Sequence, residues 1–208
     1  MCAAVIDLSP TSILVSARNP TSSLKGGCAE IAIVPVALEF TDDPDAWSLI
    51  LAFEPVSGLV PSFRVLPHPV DLDDAACTAL DALGALHVPE TAAVDIACGE
   101  FEPEALAAEI KRRSNRRSVS PDHGWADRLS LERAAREIGR QTRAVVAFEE
   151  ASGWEGIYGA ADSRLVLESV IDQVLYWYHR RPSSALGLKS PIERWAGRNG
   201  SLPVATRS

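Results

Sequence analysis

The side chains that could bind a soft metal are few and scattered. Cys2, Cys28, Cys77 and Cys98 show no Cys-x-x-Cys spacing, and His68, His87, His123 and His179 do not cluster near them. A zinc site is therefore not expected, and the cysteines fit a reduced chain that uses them as small apolar residues. Carboxylates are the remaining candidates, and one is marked by its position. Residues 127, 131, 134 and 138 share a helical face, so Asp127 rides the stripe that Leu131, Ala134 and Ile138 would bury. A solvated carboxylate belongs on the opposite face. The other role open to Asp127 is partner of the helix dipole in the first turn. Cations concentrate at Lys111, Arg112, Arg113, Arg116 and Arg117. That run reads either as a polyanion contact or as a solvated helix end whose charges complement the dipole.

The elements that must position these residues follow from periodicity. Val5 to Val15 and Ile31 to Phe40 are rich in β-branched and aliphatic residues and read as strands, separated by the Pro/Ser/Gly stretch from Arg18 to Gly27. Leu49 to Phe53 and Ser62 to Leu66 follow, joined by Pro55-Val56-Ser57-Gly58, which has turn chemistry. Consecutive antiparallel strands are the simplest assignment. The period then changes to helical: Asp71 caps a helix carrying Leu72, Ala75, Ala76, Ala79, Leu80 and Leu83, with Asp73 and Asp74 in its first turn. A short strand at Ala92 to Ile96, a helix opened by Pro103, a short strand at Ser118 to Ser120 and a helix from Ala126 to Ile138 complete a βα alternation. Ala144 to Phe148 reads as strand or helix, and Ser152 to Ala161 as a Gly-rich loop. Ser163 caps an amphipathic helix with Leu167, Val170, Ile171, Val174, Leu175 and Tyr178 on one stripe, ended by Pro182.

Composition bounds the function classes. The chain has 208 residues, 47% hydrophobic and 23% charged, which is globular and excludes collagen-like, low-complexity and disordered classes. Its longest apolar runs, such as Ile31 to Leu38, fall far short of the ~20 residues of a membrane span, and Met1 to Pro10 lacks a signal-peptide pattern. A soluble, unprocessed, cytoplasmic protein without a membrane partner is the expectation. Net charge is −8, where a nucleic-acid-binding protein would ordinarily be basic. The imbalance is uneven: residues 1 to 110 hold 3 Lys/Arg against 17 Asp/Glu, and residues 111 to 208 hold 17 against 11. Any polyanion contact is expected in the second half.

The most specific segment is Tyr178-His179-Arg180-Arg181-Pro182-Ser183-Ser184-Ala185-Leu186-Gly187-Leu188-Lys189-Ser190-Pro191-Ile192-Glu193-Arg194-Trp195. It resembles the closing motif of integrase and transposase catalytic cores of the retroviral-integrase superfamily, Arg-Pro-His-Ser-x-Leu-Gly-x-x-(Ser/Thr)-Pro-x-Glu, which follows a helix. Ser183 is the clear departure, standing where the family usually has His. The resemblance implies an α/β fold, an RNase H-like mixed sheet with flanking helices. To this it adds a C-terminal helix and turn extension. The core would take residues 1–140 and the extension, ending in the Tyr-x-x-Arg-Pro motif, residues 141–208.

The same resemblance implies three carboxylates on two strands and one helix that hold two divalent ions, Mg²⁺ or Mn²⁺ in an active protein. Pro89 to Asp95 followed by Gly99-Glu100-Phe101 looks like the strand that ends in Asp-Asn-Gly-x-Glu-Phe, with Asp95 as the second carboxylate. Ile96, Ala97 and Cys98 replace the Asn-Gly turn. Pro121 to Arg128 is similar to Pro-x-x-Gly-x-x-Glu-Arg, which puts Asp127 in the glutamate's place. For the first carboxylate two positions are open: Asp7, in a segment similar to the first strand of Mu-type transposases, and Glu39 of Leu38-Glu39-Phe40-Thr41, similar to insertion-sequence transposases. Arg180 and Arg181 join the basic run as candidate nucleic-acid contacts.

Two-metal phosphoryl transfer requires carboxylates that converge within a small tolerance. An Asp for Glu at 127, a rebuilt turn at 96 to 98 and a strongly acidic first half together imply a degraded active site in a protein associated with DNA integration or transposition. Two alternatives are an active DNA strand-transfer recombinase and a non-catalytic interaction or regulatory protein derived from a transposase. DNA as partner is disfavoured by the acidic half. A transposase or a second copy of the chain is the other expected partner.

Overall fold

The computed structural model describes residues 28–40, 47–67, 69–122, 128–151 and 163–199. Its sheet has five strands: β1 (Cys28–Leu38), β2 (Trp47–Glu54), β3 (Leu59–Leu66), β4 (Ala93–Cys98) and β5 (Val119–Pro121), in the order β3-β2-β1-β4-β5. The first three strands are antiparallel neighbours, while β4 runs parallel to both β1 and β5. The helices are α1 (Leu72–Ala85), α2 (Pro103–Arg113), α3 (Arg128–Ala151), α4 (Ser163–Arg180) and α5 (Pro191–Asn199), with a 3-10 turn at Ser184–Leu186. The α/β reading therefore holds: an antiparallel meander followed by two parallel crossovers. The strand expected from Val5 to Val15 lies outside the described residues.

Strand alternation splits the apolar residues into two cores. Ala29, Ile31 and Ile33 of β1 and Val94, Ile96 and Cys98 of β4 join Ala75, Ala79, Leu83, Leu106 and Ile110 of α1 and α2 on one face. Ala32, Val34 and Leu38 join Phe53, Leu131, Ile138, Leu167 and Ile171 on the other, where α3 and α4 lie. The central position of β1 explains why both its faces are apolar.

Local chemistry fixes the connections. Gly58 takes a left-handed φ of 72° at the β2–β3 turn, a conformation that favours glycine. Asp71 caps α1 by accepting from the Asp74 amide at 2.8 Å, and the Asp74 side chain reaches back to the Asp71 amide. Gly139 lets α3 lie close on β1: a Cβ there would stand 2.9 Å from Cγ1 of Val36.

Packing decides two points of the sequence reading. Residues 144 to 148 are helical, because α3 continues to Ala151 and buries Val146 beside the sheet. The division placed between residues 140 and 141 falls inside that helix, and α4 shares the sheet's own core. Trp195 of α5 is buried in the α1/α2-side cluster.

Candidate functional site

The parallel register of β1 and β4 sets Glu30 directly beside Asp95. Strand alternation turns both toward the α3/α4 face. Cys28 lies on the same face, and its thiol donates to Oδ2 of Asp95 at 3.2 Å. Burial, then the hydrogen bond to Asp95, then the charges of Asp95 and Glu30 push that thiol up to about 11, which keeps it a donor. Glu30 is held above the usual carboxylate value by desolvation first, then by the charges of Glu54, Asp95 and Asp122, against the opposing charge of Arg198. These groups thus share one electrostatic neighbourhood where β1 and β4 begin and β2 ends.

Glu54 is already engaged. Its carboxylate, buried at the end of β2, accepts from the Ser57 amide at 2.7 Å and from the Ser57 hydroxyl, and Arg198 of α5 donates to its Oε1 at 3.0 Å. Further along the β1–β4 seam this face becomes apolar, with Ala32 and Val34 of β1 packed with α3 residues and Ala97 of β4 buried.

Of the sequence candidates, Asp95 lies within β4 rather than at its end. Glu39 follows the opposite end of β1 from Glu30, about 30 Å away along the strand at the usual rise, so the fold does not bring Glu39 to Asp95. Asp7 and Asp127 lie outside the described residues. Glu30 was missed by sequence reasoning; the signal that could have found it is the alternation of Cys28, Glu30, Ala32 and Val34, which puts one charged residue on an otherwise apolar strand face.

A two-metal centre needs three converging carboxylates. Among the described residues no group of three or more His, Cys, Asp or Glu is arranged to hold a metal ion. Glu30 and Asp95 alone do not make up the donor set.

The basic run divides. Arg116 departs from the expected polyanion contact: it is buried, and its two terminal nitrogens donate to the carbonyls of Pro89 at 2.7 Å and Val88 at 2.6 Å. Its cation seals the loop between α1 and β4, supplying donors for carbonyls that would otherwise be buried unpaired. Arg112 and Arg113 both bond Glu109, and Arg113 also pairs with Asp73. Lys111 and Arg117 are exposed.

The closing motif docks onto the β2–β3 turn. The Tyr178 hydroxyl donates to the Gly58 carbonyl at 2.8 Å, and the Val60 amide donates to Nε2 of His179 at 3.1 Å. Burial raises the Tyr178 phenol far above its ordinary value and lowers His179 to about 4, Arg180 adding to the latter. The imidazole is therefore neutral, as an acceptor must be. After the helix, Gly187 adopts φ 65° and the Ser183 amide donates to the Lys189 carbonyl at 3.1 Å. Glu193 closes a capping box on Ser190, accepting from its amide at 2.8 Å and its hydroxyl at 2.9 Å. Arg180 packs over the Tyr176 ring at 3.7 Å and stays exposed, as does Arg181.

No protein-family model matches this sequence, and no curated protein matches it. Solved structures do. The chain is similar to the integrase catalytic core domain of HTLV-2 in complex with magnesium, in its trimeric form, with 14% identity and a TM-score of 0.53 over 80% of this chain and 93% of that one. The dimeric form gives 14% identity and a TM-score of 0.52 over 80% and 92%. An intasome of simian T-cell lymphotropic virus, in complex with a PP2A regulatory subunit, gives 11% and 0.51 over 86% of this chain and 60% of that chain. The fold is that of a divergent integrase-like core, RNase H-like with flanking helices. No described helix is long and apolar enough to cross a membrane.

Proposed function

We propose that this chain is a non-catalytic derivative of an integrase or transposase core, associated with DNA integration or transposition, whose strand-transfer site is degraded. The observation that carries this reading is the seam of β1 and β4. It presents buried Ala32, Val34 and Ala97, while the carboxylates that do lie on that face stand nearer the strand starts and Asp95 already accepts a thiol. Phosphoryl transfer depends on placement, and an error near 1 Å costs about a hundredfold in rate. Apolar side chains at the covered part of the seam and protein donors on the neighbouring acids are what a site relieved of that demand would accumulate.

One observation favours a second reading, an active recombinase using Mg²⁺ or Mn²⁺: Glu30 and Asp95 are register partners, and a third acid, Asp127, precedes α3 in the chain. The test separating the two is cleavage and joining of a labelled DNA duplex in Mn²⁺ by the purified chain, beside a variant carrying Glu30→Gln, Asp95→Asn and Asp127→Asn. No product from either protein is the expected result. Product from the parent that disappears in the variant would establish the recombinase instead.

A further inference from the structure

We infer that the C-terminal end of α4 and the turn after it form a docking surface for an acidic protein segment that carries an apolar anchor. This goes beyond the proposed function and stands whether or not Glu30 and Asp95 react. Among the described residues five large hydrophobic side chains are exposed, and three of them, Tyr176 at 47%, Trp177 at 63% and Leu188 at 76%, belong to this region. Between Asp172 and Glu193 the sequence holds Arg180, Arg181 and Lys189 and no carboxylate, in a chain of net charge −8. Along this stretch of sequence the charge is therefore reversed, and the carboxylate of α3 that feels Arg181, Glu137, is already paired with Arg140.

The surface is also held in shape. Tyr176 and Trp177 meet edge to face, with ring centroids 5.4 Å apart, and Arg180 lies over the Tyr176 ring. The residues next in sequence, Tyr178 and His179, anchor the same turn of helix to Gly58 and Val60 from below. Leu188 is held by its amide donating to the Ser183 carbonyl at 2.9 Å and takes a φ of 64°. A non-glycine residue in that region is strained, and strain combined with an exposed leucine has a physical rationale at a contact surface. Rigid presentation lowers the ordering cost of binding.

Charge and composition choose the partner. Trp, Tyr and Arg are the residues enriched at protein hot spots, and three cations around an apolar patch suit a short acidic segment. A nucleic acid would need a longer row of cations and would approach a chain whose overall field repels it.

The experiment uses the full chain and fluorescence anisotropy with three labelled probes: a Glu-rich peptide with Leu and Trp at helical spacing, its Lys-for-Glu counterpart, and oligothymidine. Expected is saturable binding of the acidic peptide alone in about the micromolar range. Trp177→Ala and the pair Arg180→Glu and Arg181→Glu should each weaken it by at least about tenfold, with melting temperatures confirming that the variants fold. Leu188→Gly, which also relieves the backbone, should weaken binding without loss of stability. The proposal is overturned by no saturable binding up to about 1 mM, by equal binding of the Lys peptide, or by indifference to these substitutions. Oligothymidine binding lost in the same variants would reassign the surface to nucleic acid. Concentration-dependent dimerisation lost in Trp177→Ala would reassign it to a second copy. Either would refute the acidic-segment assignment.

Discussion

Two neighbouring regions of this molecule treat their polar residues in opposite ways. At the closing motif, the half-buried Tyr178 and His179 each meet one backbone partner, Gly58 of the β2–β3 turn and Val60 of β3. At the start of β1 and β4, Glu30 and Asp95 are set side by side with like charges, and Glu30 is held above its ordinary titration value by burial and by its acidic neighbours. The first region has matched donors to acceptors, whereas the second has gathered acceptors. A motif whose sequence resembles a catalytic core most closely is thus an architectural clamp, while Glu30 on the neighbouring strand face is electrostatically strained.

Perturbing the clamp side should have the largest consequences. Ile171→Ala, in the helix that the motif closes, removes a fully buried side chain and should cost about 2 to 5 kcal/mol in denaturant unfolding. A loss below about 1 kcal/mol would mean that α4 is not integral to the sheet's core. His179→Leu leaves the Val60 amide without its acceptor and should cost about 1 to 3 kcal/mol. His179→Asn offers an amide oxygen in its place and should lose less. Equal losses would show that volume rather than the hydrogen bond matters.

The clamp also gives a pH signature. His179 titrates near 4 when folded and near about 6.5 when unfolded, so unfolding takes up a proton between those values. Its contribution to stability is full above about 6.5 and is lost as pH falls toward about 4. Unfolding midpoints measured across that window should fall, and the fall should be shallower in His179→Asn. At the acidic edge the sign is opposite. A carboxyl whose folded value is raised destabilises the charged fold, so Glu30→Gln should raise the melting temperature slightly at neutral pH and converge with the parent in acid. Solvent screening of this accessible group keeps the effect the smallest of the four.

Much of the fold was legible because local chemistry and periodicity agreed. The Asp71 cap, the Pro103 helix start and the stripe from Leu167 to Tyr178 each had a local cause, and each forms as read. The length of α3 was not legible, because Ala144 to Phe148 suits strand or helix and only packing of Val146 decides. Glu30 was obscured for a different reason: its neighbour Asp95 lies far along the chain, and parallel pairing through a crossover fixes a register that neither strand's sequence specifies alone. Arg116 was misjudged because a cation next to four others reads as surface until the carbonyls of Val88 and Pro89 are placed beside it.

The central claim, that the Glu30 and Asp95 edge no longer works as a metal-dependent site, is tested most directly by the melting temperature of the full chain in Mn²⁺ against EDTA, with Asp95→Asn alongside. A ligand that binds only the folded state at a hundred times its dissociation constant stabilises by about 2.7 kcal/mol. A degraded edge gives no shift in millimolar Mn²⁺ and no difference between parent and variant. A rise of several degrees in the parent that Asp95→Asn abolishes would contradict it.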